Sequence, residues 1–155
     1  SGSFVPGKGI EIICSLAKKM PQIKFDLYGN VKTLDKNFNL KTKPKNLIFK
    51  GFVSYKKIAH KISSYKILLM PYQRKVDVLM KGIDVSTYFS PLKLFEYMAT
   101  GRIILASKLK VYNKILKHNK NSILLNPDNI DDWIQTIYKN FKTMITFYGL
   151  VMQHL

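Results

Sequence analysis

The segment Phe89–Ser107, with the sequence FSPLKLFEYMATGRIILAS, contains the residues best suited to chemistry. Glu96 is one of only two glutamates in the chain, and it stands among apolar residues of a predicted helix. A carboxylate accepts two hydroxyl donors well, so a pair of neighbouring sugar hydroxyls would suit it. The alternative is that Glu96 pairs with a surface lysine, and its position alone leaves both interpretations open.

The start of the same helix predicts an anion site. Ser90 is a favoured N-cap residue, and Pro91 suits the first helical position. The backbone N–H groups of Leu92 and Lys93 then lack partners within the helix, and Lys93 adds a positive charge. Glu96 would follow Leu92 by roughly 6 Å along the axis. A phosphate held at the helix end would thus place an attached ribose near Glu96.

A second loop, VPGKGIE, precedes the first predicted helix and carries Lys8 between two glycines. Glycines let a backbone approach a ligand closely, and Lys8 could reach a phosphate. The loop lacks the G-x-x-x-x-G-K-[ST] pattern and its magnesium-binding hydroxyl. A phosphate contact and a simple turn are both open for this loop.

No residue pattern predicts a catalytic nucleophile or a metal site. His60, His118 and His154 have no partner at metal-ligand spacing, so no metal is expected. Cys14 is a single cysteine and excludes an internal disulfide. Its place on the inner face of a predicted helix favours a buried, unreactive thiol. The catalytic residues stay unknown at this level.

Composition favours one globular domain over residues 1–155. Hydrophobic residues make up 46% of the chain, and no apolar run or secretory signal suggests a membrane span or export. The net charge of +17 comes from lysines scattered through every segment, with arginine only at Arg74 and Arg102. Compositional bias, attraction to an anionic membrane surface and nucleic-acid binding are three explanations. The shortage of arginine makes nucleic acid the least favoured partner.

The elements that must position these residues alternate between helix and strand. Hydrophobic periodicity predicts the following order. It gives a helix over Ile10–Met20, strands at Ile23–Tyr28 and Asn46–Val53, a helix from Tyr55 to Tyr65, a strand at Ile67–Tyr72, a helix over Ser90–Thr100, a strand at Arg102–Ser107, a short helix around Val111–Lys117, a strand at Ser122–Asn126 and a helix over Ile130–Lys142.

This alternation predicts an α/β fold, a Rossmann-like parallel sheet with helices on both faces. Continuously apolar strands such as ILLM and IILA agree, because parallel strands are buried on both faces. Ligands of such sheets bind at the carboxyl ends of the strands. At the chain start, Gly2–Val5 supplies only the last residues of a strand. The first strand is therefore expected to be truncated, or the chain to be part of a larger protein.

These residues resemble the C-terminal, donor-binding domain of a GT-B glycosyltransferase of family 4 (glycosyl transferases group 1). The resemblance runs from about Ser3 to about Phe141. Its elements are GSFVPGKGIEII, IKFDLYG, NLIFKGFV, YKILLMPY, SPLKLFEYMATGRIILAS and NSILLNPDN. It implies one half of a GT-B fold, so the chain is expected to be a fragment of a two-domain enzyme, without the N-terminal acceptor domain.

The resemblance also implies roles for individual residues. Lys8, Ser90, Pro91, Leu92 and Lys93 would bind the donor diphosphate. Glu96 would bind the ribose of the donor. Phe52 and Val53 would contact its base, and Tyr88 and Phe89 would contact its sugar. Two positions depart from the family pattern: Ser3 replaces an arginine, and Tyr88 replaces a glutamate.

The implied activity is a retaining, metal-independent transfer of a hexosyl-type sugar from a nucleoside-diphosphate sugar to a glycan or glycolipid, as in cell-surface polysaccharide biosynthesis. No cofactor is expected. The isolated domain is expected to be inactive without its missing half, against which the apolar segment Met144–Met152 could pack. A cytoplasmic location follows, with peripheral contact at the inner membrane face. A non-catalytic basic module that binds anionic membrane or nucleic acid is the alternative.

Overall fold

The computed structural model describes residues 2, 4–34, 36, 38–74 and 92–152, and side chains up to residue 142 except that of Tyr55. In chain order the helices and strands are α1 (Ile10–Lys19), β1 (Phe25–Tyr28), β2 (Leu47–Gly51), α2 (Tyr55–Ser63), β3 (Ile67–Met70), α3 (Leu92–Ala99), β4 (Ile103–Ser107), β5 (Ile123–Leu125) and α4 (Ile130–Met152). Two single 3₁₀ turns lie at Val31–Thr33 and Lys110–Tyr112.

All five described strands pair in parallel, as the alternation of helices and strands predicts. β1 pairs with β2, with Phe25 opposite Leu47. β3 pairs with β4, and β4 pairs with β5, with Ile67 opposite Ile103 and Leu105 opposite Ile123. Among the described residues the strands therefore form a two-stranded and a three-stranded sheet.

Helices cover both faces of these strands, so the predicted fold class is confirmed. One core joins α1 and α4 to the strands through residues such as Leu16, Leu105 and Trp133. The other core joins α2 and α3 to the opposite face and includes Ile62 and Leu94. Adjacent strand residues enter different cores because side chains alternate between the two faces of a strand.

The connection from β2 to the first core depends on one asparagine. The Asn46 Nδ2 atom lies 2.8–3.0 Å from the carbonyl oxygens of Ala17, Met20 and Ile23. These carbonyls belong to the end of α1 and the approach to β1. A single side chain thus bonds the end of α1, where helical carbonyls lack partners within the helix, to the start of β1.

The prediction of a short helix around Val111–Lys117 is wrong. Only Lys110–Tyr112 forms a 3₁₀ turn, and the chain then folds around Asn121. The Asn121 side chain accepts a hydrogen bond from the Lys117 N–H at 2.8 Å and donates one to the Ile115 carbonyl at 2.9 Å. Asparagine side chains compete in this way with the regular helical pattern.

The last helix extends beyond its predicted end at Lys142 and includes the apolar segment Met144–Met152. The side chains of that segment lie outside the described residues, so its packing stays a prediction. No helix among the described residues has the length and hydropathy needed to cross a membrane.

Candidate functional site

The glycine-containing loop around Lys8 lies against the carboxyl end of β3. The Gln73 N–H donates to the Gly7 carbonyl at 2.8 Å, and the Lys8 N–H donates to the Val5 carbonyl at 3.2 Å. Glu11, in the first turn of α1, accepts a hydrogen bond from the Gly7 N–H at 3.3 Å. These three bonds fix the loop on both of its sides.

Gly9 is a position at which this loop requires glycine. Its φ angle is +96°, and an added Cβ would lie 2.7 Å from the Pro71 Cγ and 2.9 Å from the Pro71 carbonyl carbon. Only glycine can adopt this φ angle and also lie this close to Pro71 without strain. The partly exposed Lys8 side chain is therefore presented at the end of β3 by a backbone that has little freedom to move.

Lys93, in the first turn of α3, is held by two tyrosines. Its Nζ atom lies 3.5 Å from the Tyr72 hydroxyl, 5.5 Å from the Tyr72 ring centroid and 5.8 Å from the Tyr97 ring centroid. Burial lowers the pKa of Lys93, but the neighbouring tyrosines outweigh it, so the net shift is upward. The ammonium group therefore keeps its positive charge at neutral pH.

Glu96 is partly exposed and lies on α3, three positions after Lys93. Residues three or four apart are neighbours on a helix surface, so its carboxylate lies one turn from the positive end of α3. Within the described part of the chain, no hydrogen bond or ion pair to the Glu96 carboxylate is found. The surface-lysine pairing considered from the sequence is therefore not observed among these residues.

Phe52 and Val53 directly follow β2. Phe52 is 79% exposed, whereas Val53 is partly buried against the second core. Gly51, with φ at +73°, turns the chain immediately before them. A large aromatic ring held in solvent at the end of a strand is a surface on which a planar base can stack.

A chain of short contacts places these groups at one edge of the fold. The Gly2 N–H donates to the Tyr28 carbonyl at 2.8 Å, and the Gly29 N–H donates to the Gly51 carbonyl at 2.9 Å. The Lys93 Nζ atom lies 3.7 Å from the position that a Cβ on Gly2 would take. The ends of β1, β2 and β3 thus lie together with Lys93 and the Lys8 loop, where ligands of such sheets bind.

Four of the predicted site residues lie outside the described residues: Tyr88, Phe89, Ser90 and Pro91. Leu92 is described, begins α3 and is 53% exposed. The roles assigned to these five residues, and to the other site residues, stay predictions.

Two residues that support the site were not predicted. Tyr72 follows Pro71 at the end of β3 and holds Lys93, and its place directly after an apolar strand was the available signal. Glu11 anchors the Lys8 loop, and an acidic residue in the first turn of a helix could have indicated it. Among the described residues, no three His, Cys, Asp or Glu side chains form a possible metal site.

Comparison with known proteins defines the class. The family described as "Glycosyl transferases group 1" matches residues 2–142, so the chain belongs to the group 1 glycosyltransferase family. This match confirms the resemblance to group 1 glycosyltransferases, whereas membership of family 4 and the C-terminal position of the domain stay predictions. No curated protein matches the chain at a significant level.

Solved structures share the fold at low sequence identity. The crystal structure of TarM is 23% identical over 89% of this chain, with a TM-score of 0.62. The crystal structures of Anabaena HepE (Alr3699) with UDP and with UDP-glucose are 16% and 17% identical over 92% of this chain, with TM-scores of 0.70 and 0.64. The chain spans 27% of the length of TarM and 39% of that of HepE.

Proposed function

We propose that this chain is the C-terminal donor-binding domain of a family 4 glycosyltransferase with the GT-B architecture. The whole enzyme transfers a sugar, with retention of configuration, from a nucleoside-diphosphate sugar to a glycan or glycolipid. The acceptor binds to a second, N-terminal domain, and the chain by itself does not catalyse transfer. The family match and the grouping of cationic and aromatic residues at one edge of the fold support this proposal.

The diphosphate is the part of the donor that the cationic groups suit best. When the sugar C1–O bond breaks, negative charge grows on the diphosphate that leaves. Lys8, Lys93 and the N–H groups that begin α3 offset this charge without a metal ion. Because Lys93 is already held between Tyr72 and Tyr97, little side-chain freedom is lost when it meets a phosphate.

The Glu96 carboxylate is the observation that carries the proposal. In a chain with 26 lysines and arginines, the Glu96 carboxylate has no described partner and is available to accept hydrogen bonds from a ligand. Binding two ribose hydroxyls would satisfy both of its oxygens, and we assign the exposed Phe52 ring to the base. HepE has been crystallised with UDP and UDP-glucose, so uridine nucleotides are the first ligands to test.

The experiment is a calorimetric titration of the chain with UDP and with 2′-deoxy-UDP. Hydrogen bonds to a charged group contribute about 1.5–3 kcal/mol, so Glu96→Ala should weaken UDP binding by about 10- to 100-fold. The same variant should bind UDP and 2′-deoxy-UDP equally, whereas the unmodified chain should prefer UDP. Glu96→Gln should retain part of this preference.

Asp131→Asn is the matched control, because it removes one negative charge from an exposed ion pair with Lys19. It should leave UDP affinity unchanged. If Glu96→Ala still prefers UDP over its deoxy analogue, or if UDP, GDP and ADP all fail to bind, the donor-site assignment is wrong.

The charge of +17 favours a second candidate, a basic surface that docks on anionic lipid at the inner face of the cytoplasmic membrane. A lipid-linked acceptor would combine both functions. This candidate predicts binding to vesicles containing phosphatidylglycerol that weakens steeply with salt and is unaffected by Glu96→Ala. Binding that requires Glu96, or no binding to vesicles, contradicts it.

A further inference from the structure

A cavity of about 480 Å³ lies at the amino ends of β4 and β5. Its walls are the turn at Gly101 and Arg102, which joins α3 to β4, and the segment Asn119–Ile123, which leads into β5. Met98 of α3 and Asn140 of α4 line it from the two faces of the sheet. The candidate donor site lies at the carboxyl ends of the strands, so this cavity is at the opposite edge.

The strand register leaves this space open. β4 begins at Ile103, but its pairing with β5 begins only at Leu105, opposite Ile123. Before β5 the chain turns at Asn119, whose φ is +60° and whose N–H donates to the Ser122 carbonyl at 2.9 Å. The first residues of β4 therefore have no β5 residue beside them, and the cavity forms there.

The described residues that line this cavity include several hydrogen-bond donors and no carboxylate. Arg102 and Lys120 contribute a guanidinium and an ammonium group, both on exposed side chains. The side-chain amides of Asn121 and Asn140 each donate one N–H to a backbone carbonyl, at 2.9 and 2.8 Å. Because an amide NH₂ has two N–H groups, each has a second one to offer. This lining suits an anion that also carries hydroxyl groups.

The two arginines of the chain differ in their partners. Arg74 pairs with Asp128 at 2.9 Å and also bonds to Asn126 at 3.2 Å. For the Arg102 guanidinium, no hydrogen bond or ion pair is found in the part of the chain that the structure describes. A guanidinium binds a phosphate through two parallel hydrogen bonds, which gives it specificity for that group. Arg102 therefore favours a phosphate over other anions.

The surroundings of the cavity are strongly basic. Between Glu96 and Asp128 the sequence contains six lysines and arginines and no aspartate or glutamate. All six side chains are exposed: Arg102, Lys108, Lys110, Lys114, Lys117 and Lys120. Lys19, on the other face of the fold, instead pairs with Asp131 at 3.0 Å. A surface with charge of one sign raises the local concentration of anions, so this side of the molecule attracts them to the cavity.

We propose that this cavity is a second anion site, which binds a phosphate group attached to a polyol such as glycerol. Arg102 and Lys120 hold the phosphate oxygens, and Asn121 and Asn140 bind the neighbouring hydroxyls. The volume falls within the range of about 300–1,000 Å³ that is usual for small-molecule sites.

The same chemical group occurs in soluble glycerol phosphates and in the headgroup of phosphatidylglycerol. The proposal does not depend on the donor site. Its lipid source rests on the second candidate function, the basic surface, and gives that surface a specific pocket.

The test is an NMR titration of the isotopically labelled chain with glycerol 3-phosphate, inorganic phosphate and glycerol. Glycerol 3-phosphate should shift the amide signals of Arg102, Asn121 and Ser122, and it should bind about tenfold more tightly than phosphate or glycerol alone. Arg102→Gln should weaken this binding about tenfold or more, because hydrogen bonds to a charged group are lost.

Lys114→Gln is the matched control, because Lys114 is an exposed lysine of the same basic segment and does not line the cavity. It should weaken binding less than about twofold, since exposed charges at a distance are screened. Equal weakening by the two variants overturns the proposal, because a diffuse basic surface would then explain the binding. So does an absence of shifts around the cavity, or equal affinity for phosphate and glycerol 3-phosphate.

Flotation with phosphatidylglycerol vesicles distinguishes the two sources of the ligand. Vesicle binding that Arg102→Gln reduces and Lys114→Gln does not supports the cavity with a lipid headgroup as its ligand. Vesicle binding that both variants retain, together with loss of glycerol 3-phosphate binding in Arg102→Gln, supports the cavity with a soluble ligand. Glu96→Ala should leave glycerol 3-phosphate binding unchanged, so a failure of the donor-site assignment is distinguishable from a failure of this one.

Discussion

The substitution Gly9→Ala tests how the Lys8 loop is held on β3. The new methyl group would meet the Pro71 carbonyl carbon at 2.9 Å and the Pro71 oxygen at a still shorter distance. A positive φ costs an ordinary residue about 1–2 kcal/mol. Forcing atoms into packed backbone adds about 1–3 kcal/mol. The total loss of folding free energy should therefore be about 2–5 kcal/mol.

Gly101→Ala is the matched control. Gly101 also has a positive φ, +64°, but a Cβ there would meet nothing within 4 Å. Gly101→Ala should therefore lose only the folding free energy that a positive φ costs, about 1–2 kcal/mol. The difference between the two variants isolates the contact between the loop and Pro71.

Urea denaturation followed by circular dichroism measures this difference. In a domain of this size the melting temperature should fall by about 2–4 °C for each kcal/mol of stability lost. If the loop relaxes by moving away from β3, Lys8 moves with it, so Gly9→Ala should also weaken UDP binding while Gly101→Ala does not. Equal destabilisation by the two variants would refute the close packing of Gly9 on Pro71.

Four further outcomes are expected. Tyr65→Phe removes the hydroxyl that donates to Asp26 at 2.7 Å and should cost about 1.5–3 kcal/mol in urea denaturation, whereas Tyr138→Phe, at an exposed hydroxyl, should cost under about 1 kcal/mol; equal costs would contradict this. Asn46→Ala should cost about 1–3 kcal/mol by the same assay because it removes the amide that donates to three carbonyls, of which only that of Met20 keeps a described bond, from the Ile23 N–H; a smaller loss would mean that water replaces the amide. Burial raises the pKa of Cys14 despite the opposing charge of Lys18, so the folded state prefers the neutral thiol; iodoacetamide at pH 8 should react about tenfold more slowly than in urea, and equal rates would show an accessible thiolate. Chelation with EDTA should leave UDP affinity in calorimetry unchanged, and a loss of binding would reveal a required metal.

The order of elements and the parallel pairing could be predicted from the sequence because both follow from local patterns. Apolar runs such as Ile67–Met70 are typical of a strand covered on both faces, and helical spacing in α1 places its apolar residues on one side. The prediction was wrong where a side chain just outside the predicted helix decided the outcome, as Asn121 does for the turn after Tyr112.

The sequence by itself determined that Glu96 would stand in an apolar helix, that Lys8 would lie between glycines, and that both would lie near carboxyl ends of parallel strands. Only the tertiary structure decided that Lys93 lies between Tyr72 and Tyr97, and that Phe52 extends into solvent. It also revealed the cavity at the amino ends of β4 and β5. The physical reason is that residue periodicity fixes which face of an element is buried, whereas contacts between residues far apart in the chain depend on how the elements pack together.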